Sequence, residues 1–158
     1  MSSATTNELA LTRLWYLIGD WEGPGKGPDF RFRATARCVW ALDDRFLVVQ
    51  LEITDAASNK LVTAEHSYIY YDRDLNCLVG DTFSSNGMVD HALGHVDSRG
   101  RMALTTDRLC CIPKGLTIRR LRRTTWTMAA AQWAFTVERD LGEGFITYLE
   151  GQMRRRGG

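Results

Sequence analysis

The sequence predicts a closed, antiparallel, up-and-down β-barrel of about eight to ten strands with a short N-terminal helix capping one end. Three observations carry that reading. From Phe30 to Trp40, apolar Phe30, Phe32, Ala34, Ala36, Cys38 and Trp40 alternate with Arg31, Arg33, Thr35 and Arg37, the period of a strand dividing an interior from solvent. Turn-forming clusters then recur every ten or so residues, too close together for anything but short hairpin connections. Past residue 19 no helical period returns that is long enough for a parallel crossover, so successive strands are antiparallel neighbours.

The elements follow in order. Thr5 and Glu8 match a capping box, and Leu11, Leu14, Trp15 and Ile18 follow at i, i+3, i+4 and i+7, a helical stripe that Gly19 ends. Trp21, directly after that glycine, is placed to plug one end of the barrel with the helix lying across it, while the glycines of 23–27 let the first strand bend. Turn signals at 42–44, 57–59, 72–74, 85–87, 97–100, 113–115 and 140–142 divide the rest. The expected strands are 20–24, 29–41, 45–55, 60–71, 76–84, 88–96, 101–107, 115–127, 131–139 and 145–154. A meander of this many strands closes because closure removes exposed edges, and a barrel of eight or more strands has room for one small ligand. The alternative architecture is a two-sheet sandwich with a filled interior.

Bulk properties narrow the function. At 158 residues the chain suits one domain, 1–158, with a core large enough to need no staple. Twenty basic residues against 19 acidic ones leave a net charge of +1, which gives no electrostatic case for nucleic acid. No apolar run approaches a membrane span and no leader pattern opens the chain, so a cytoplasmic protein is expected. The four cysteines, Cys38, Cys77, Cys110 and Cys111, form no metal-ligand spacing and read as free thiols.

The segment Leu14-Trp15-Tyr16-Leu17-Ile18-Gly19-Asp20-Trp21-Glu22-Gly23-Pro24-Gly25-Lys26-Gly27, a short helix running into G-x-W and a glycine-rich strand, resembles the opening of nitrobindin-like bacterial domains of the lipocalin-like (calycin) type. Arg45-Phe46-Leu47-Val48, Ile69-Tyr70-Tyr71-Asp72 and the stretch from Tyr148-Leu149 to Arg155 extend the likeness over nearly the whole chain. The resemblance implies the barrel. In that family a last-strand histidine, in an H-L-x-A-x-x-x-R context, ligates haem iron, and here the matching position holds Tyr148. The expectation is therefore no cofactor, with haem on a tyrosine ligand as the lesser alternative. Many lipocalin-like domains bind small apolar molecules, and a few have become enzymes of specialised metabolism.

Candidate chemistry centres on a few residues. The strand around His66 carries Val62, Ala64, His66, Tyr68 and Tyr70 on one face and Thr63, Glu65, Ser67, Ile69 and Tyr71 on the other. The first set is the more apolar and is expected inside, where His66 is either a general acid or base or a buried histidine satisfied by a tyrosine or carbonyl. His91 and His95 stand roughly 13 Å apart on one strand face, too far to share a metal, and line a ligand or face solvent. Asp90 points the opposite way from His91. Asp81 sits within a strand, where aspartate is disfavoured, and is read either as an inward base or as a solvent-exposed or bulged residue. Arg119, Arg120, Arg122 and Arg123 fall two on each side of a strand, as a solvated basic face or as anion recognition at a pocket mouth. No nucleophile elbow or phosphate loop is present.

Two functions are expected to compete for the same interior. The first is a binding module for a small, largely apolar or aromatic molecule, lined by Trp40, Tyr68, Tyr70, His91, His95 and Trp133. The second is a cofactor-free cyclase, isomerase or lyase in which His66, Asp81 or Tyr148 moves a proton. The expected partner is a small molecule, without nucleic acid, membrane or metal, and a homodimer is left open.

Overall fold

A computed structural model describes residues 9–110, 121–129, 131–140 and 142–157. Ten strands form in the expected order: β1 (Gly19–Lys26), β2 (Arg31–Ala41), β3 (Phe46–Asp55), β4 (Leu61–Asp72), β5 (Cys77–Ser84), β6 (Val89–Val96), β7 (Met102–Cys110), β8 (Leu121–Ala129), β9 (Gln132–Asp140) and β10 (Phe145–Arg155). Each pairs antiparallel with its sequence neighbours, and β1 pairs with β10 to close the barrel. The strand ends lie within two residues of expectation except around the β7–β8 connection; the start expected at residue 115 lies outside the described residues. The sandwich alternative is set aside by closure.

β2 shows the alternation most clearly, with Phe32, Ala34, Ala36 and Cys38 buried and Arg31, Arg33 and Arg37 exposed. Its ladder with β3 pairs Ala34 with Ile53, Ala36 with Leu51 and Cys38 with Val49, which extends the inner face strand by strand because paired residues share a face. The hairpins close with aspartates at strand ends. Asp55, Asp72, Asp97 and Asp140 each accept two backbone N–H bonds of the following turn through Oδ1. At the β1–β10 seam, a Cβ on Gly23 would lie 1.9 Å from the Gln152 carbonyl oxygen, so only glycine permits the approach that closes the barrel.

The N-terminal segment departs from the expected single helix. The α-helix α1 spans Leu9–Thr12, and a 3₁₀ turn follows at Trp15–Leu17; the Thr5–Glu8 capping box lies outside the described residues. The buried residues are Leu11, Leu14 and Leu17, spaced by three, while Trp15 is 68% exposed. A three-residue repeat is met by the tighter 3₁₀ geometry, which turns all three leucines onto the barrel. Trp21 fills the end as expected. It is buried, donates Nε1–H to the Leu17 carbonyl at 2.7 Å, and meets Trp133 edge-on at 5.8 Å between ring centres. Arg155 straps this end by donating to the Tyr16 and Ile18 carbonyls at 2.7 and 2.6 Å.

Cys38 is buried, Cys77 and Cys110 are partly buried, and all three are free thiols; burial pushes the Cys38 thiol up to about 12. Cys111 lies outside the described residues. Among those residues no helix is long and apolar enough to cross a membrane.

Candidate functional site

The β3–β4 register decides which side chains enter the barrel. Leu47 pairs with Ile69, Val49 with Ser67 and Leu51 with Glu65, so Glu65, Ser67 and Ile69 join the inner face. The face expected inside is the outer one: His66 is exposed, Tyr68 is 39% exposed, and Tyr70 packs against Phe46 on the outer surface. The reason is local. Both faces of β4 carry a mixture of polar and aromatic residues, and the strongly apolar inner face of β3 sets the register.

Continuing round the barrel, Ser67 pairs with Thr82, Thr82 with Asp90, and Ala92 with Thr106, while β8 places Arg122 on the inner side. These positions meet as one polar cluster. Arg122 Nη1 and Nη2 donate to Glu65 Oε1 and Oε2 at 3.1 and 3.0 Å, a two-pronged ion pair with both side chains mostly buried. Thr106 Oγ1 donates to Asp90 Oδ2 at 3.1 Å and accepts from the Arg122 backbone N–H at 3.3 Å. Ser67 and Thr82 satisfy each other at 2.8 Å.

Three buried side-chain atoms in this interior have no partner among the described residues: Asp90 Oδ1, Arg122 Nε and Trp133 Nε1. Asp90 is only 5% exposed, and burial pushes its carboxyl above the usual carboxylate range despite the opposing pull of Arg122 and the Thr106 hydroxyl. Burial also opposes the charge of Arg122, but Glu65 and then Asp90 outweigh it and hold the guanidinium above its ordinary value. The residues that carry them, Asp90, Arg122 and Trp133, line one cavity of about 40 Å³, whose apolar wall includes Trp126 and Phe135. Trp126 and Trp133 meet edge-on with ring centres 5.1 Å apart. A drug-sized site needs roughly 300 Å³ or more, so this space suits water or a guest of a few heavy atoms.

The remaining candidates fall elsewhere. Asp81 is not an inward base: it lies on the outer face, accepting from the Tyr70 hydroxyl at 3.0 Å and contacting His91 Nδ1 at 2.5 Å. Burial, and then Asp81, push the Tyr70 phenol up to about 12, so it stays a donor. His91 is therefore outside, as is exposed His95 near the other end of β6. Tyr148 sits at the β-bulge between Thr147 and Leu149, packed against the core, with the Arg139 guanidinium 3.5 Å above its ring. Trp40 packs half-buried against the core, and Trp133 is fully inside. Arg123 faces outward in an ion pair with Glu138 at 2.7 Å, which bears out the division of the arginine run for Arg122 and Arg123. Arg119 and Arg120 lie outside the described residues.

Sequence reasoning thus passed over Glu65, Asp90 and Arg122 as a group. Each stands on a different strand, and only the register brings them together. The available signal was weak: one charged residue in one alternating set of each of three strands.

A larger depression of about 830 Å³ opens on the outer surface, lined by outward residues such as Glu22, Arg33, Thr54 and Gln152. It is broad and open, and none of the buried unpartnered atoms among the described residues belongs to its lining, so the interior cluster is the stronger candidate.

Comparison with known proteins follows the same lines. The model of the THAP4-like, heme-binding beta-barrel domain matches residues 10–155. The crystal structure of Rv2717c from M. tuberculosis superposes with a TM-score of 0.79 at 17% identity, covering 92% of this chain and 96% of that one, which shows a shared fold. A comparison with curated proteins gives no match. The residues present do not fit the histidine-ligated haem of this family: all three histidines face outward, and the ring of Tyr148 lies beneath Arg139.

Proposed function

Because this chain belongs to the THAP4-like, heme-binding β-barrel domain family, we propose that its barrel is a small-molecule binding module that works without haem. One observation carries the reading: Asp90 and Arg122 line an aromatic-walled cavity, and each holds a buried polar atom, Oδ1 and Nε, with no partner among the described residues. Buried polar groups left unpaired cost about 1–3 kcal/mol each, so a guest that pairs both recovers much of that cost. The ligand is a molecule of few heavy atoms, smaller and more polar than the composition of the strands suggests. The polar anchor is Asp90 with Arg122, while Trp126, Trp133 and Phe135 form the apolar wall.

The second function class has one observation in its favour. Asp90, buried and with a raised pKa, has the character of an acid or base inside a closed site, and it takes the role that His66, Asp81 and Tyr148 were expected to fill. A molecule recovered chemically changed after incubation with the protein would favour that class.

The test is a fragment titration followed by two-dimensional NMR, reading the indole N–H signals of Trp126 and Trp133 beside surface amides, with a parallel haem titration read by absorption. Saturable movement of the indole signals, with no haem band developing, is expected. Movement confined to surface signals, or a stoichiometric haem band, would overturn the reading.

A further inference from the structure

Five of the seven polar side-chain atoms in the Asp90–Arg122–Glu65 cluster already have partners. Glu65 spends both oxygens on Arg122 Nη1 and Nη2, and Asp90 Oδ2 takes the Thr106 hydroxyl. What remains is one carboxylate oxygen, Asp90 Oδ1, and one N–H, Arg122 Nε. A guanidinium has no acceptor capacity and an ionised carboxylate has no donor, so the two vacancies are of opposite kind. The neighbouring Ser67 and Thr82 hydroxyls engage each other and do not compete.

We infer that the interior recognises a neutral planar group carrying one N–H donor and one carbonyl acceptor, a small carboxamide or urea, with its N–H on Asp90 Oδ1 and its carbonyl on Arg122 Nε. The inference rests on the interior-binding reading above and names its ligand class. A carboxylate ligand of the same shape offers two acceptors and sets an anion against Asp90. An amidinium of the same shape offers two donors and sets a cation against Arg122. Of these three isosteres only the amide meets both vacancies; the second lone pair of its carbonyl oxygen is free for the third unpartnered group of this lining, Trp133 Nε1–H, and it adds no charge to a cluster already holding two carboxylates against one guanidinium. The free space of about 40 Å³ confines the recognised group to a few heavy atoms.

Acetate, acetamide and acetamidinium are close isosteres, so their comparison isolates hydrogen-bond polarity from size. In mildly alkaline buffer, titration of the full chain followed at the Trp126 and Trp133 indole signals is expected to rank acetamide first. Its advantage should be about tenfold or more, the effect of one mismatched buried hydrogen bond. The variant Asp90→Asn sharpens the test. With the Thr106 hydroxyl donating to the asparagine oxygen, the Asn amino group faces the cavity beside Arg122 Nε. Donors alone then await the ligand, and the preference is expected to pass from acetamide to acetate, a reversal that general loosening of the core would not produce.

Acetate or acetamidinium binding the wild type more tightly than acetamide would overturn the amide class while leaving interior binding intact. So would silence from all three probes when other fragments move the indole signals. Silence of the interior to every fragment would remove both the inference and the reading beneath it.

Discussion

Substituting methionine for Arg122 leaves the Glu65 carboxylate mostly buried and without its two-pronged partner. The expected cost is roughly 3–5 kcal/mol, the usual penalty for breaking a buried pair from one side. The double variant Glu65→Leu with Arg122→Met removes the stranded charge and should recover a large part of that loss. Urea unfolding of the single and double variants checks this; a double variant less stable than the sum of the two single variants would contradict it. Asp90 behaves in the opposite sense to a paired carboxylate. Burial holds its folded pKa above the unfolded value, so the folded state binds the proton more tightly. Its contribution is fully present below the ordinary carboxylate range and is lost as pH rises through the raised folded value. Asp90→Asn should therefore stabilise the protein at neutral pH, by roughly a few degrees in Tm, with the gain vanishing in acid. Thermal unfolding across that range decides it, and a variant less stable at neutral pH would count against a buried charge there. At this scale the sequence was least legible. Glu65 and His66 are neighbours on one strand, and a register shift of one residue would exchange the one inside for the one outside. Nothing within 61–72 reveals which is which, because the deciding apolar face belongs to β3.

The hairpins and the seam are where the elements carry their own instructions. Asp55 and Asp97 are held below the usual carboxylate range, Asp55 chiefly by the Ser58 backbone N–H and Asp97 chiefly by that of Arg101. For a lowered pKa the stabilisation is present above the unfolded carboxylate value and is lost as pH falls through the folded one. Hydrogen exchange in the β3–β4 and β6–β7 turns should accelerate in mild acid, relative to the intrinsic rates, before the barrel opens. Unchanged protection there would contradict the role given to the two aspartates. At the seam, Gly23→Ala places a Cβ against the backbone of β10, where no side-chain rotation relieves it. A loss of about 1–3 kcal/mol is expected, with exchange rising first in β1 and β10. Turns and strands were readable because aspartate and glycine act locally, on bonds within two to four residues. The short N-terminal helix was legible but its extent was not, for an equally local reason: its buried leucines repeat every three residues, a spacing that α and 3₁₀ geometry share.

Closure, the largest feature of the molecule, was legible because it follows from counting: ten short antiparallel strands without crossovers leave two edges that pair with each other. The content of the barrel was not. A barrel of this strand number has space for a sizeable ligand, but Trp21, Trp133 and Trp126, in a run of edge-on ring contacts, and Phe135, tilted against Phe32, occupy much of it, and what remains is small, with one polar cluster in its wall. The outward position of His66, His91 and His95 likewise belongs to the assembled sheet rather than to any one segment. The most direct test of the interior site is a crystal structure of the protein soaked with the tightest fragment from the titration. Density for that fragment is expected within hydrogen-bond distance of both Asp90 Oδ1 and Arg122 Nε. A fragment seated instead in the outer depression beside Arg33 and Gln152, with the interior unchanged, would contradict it.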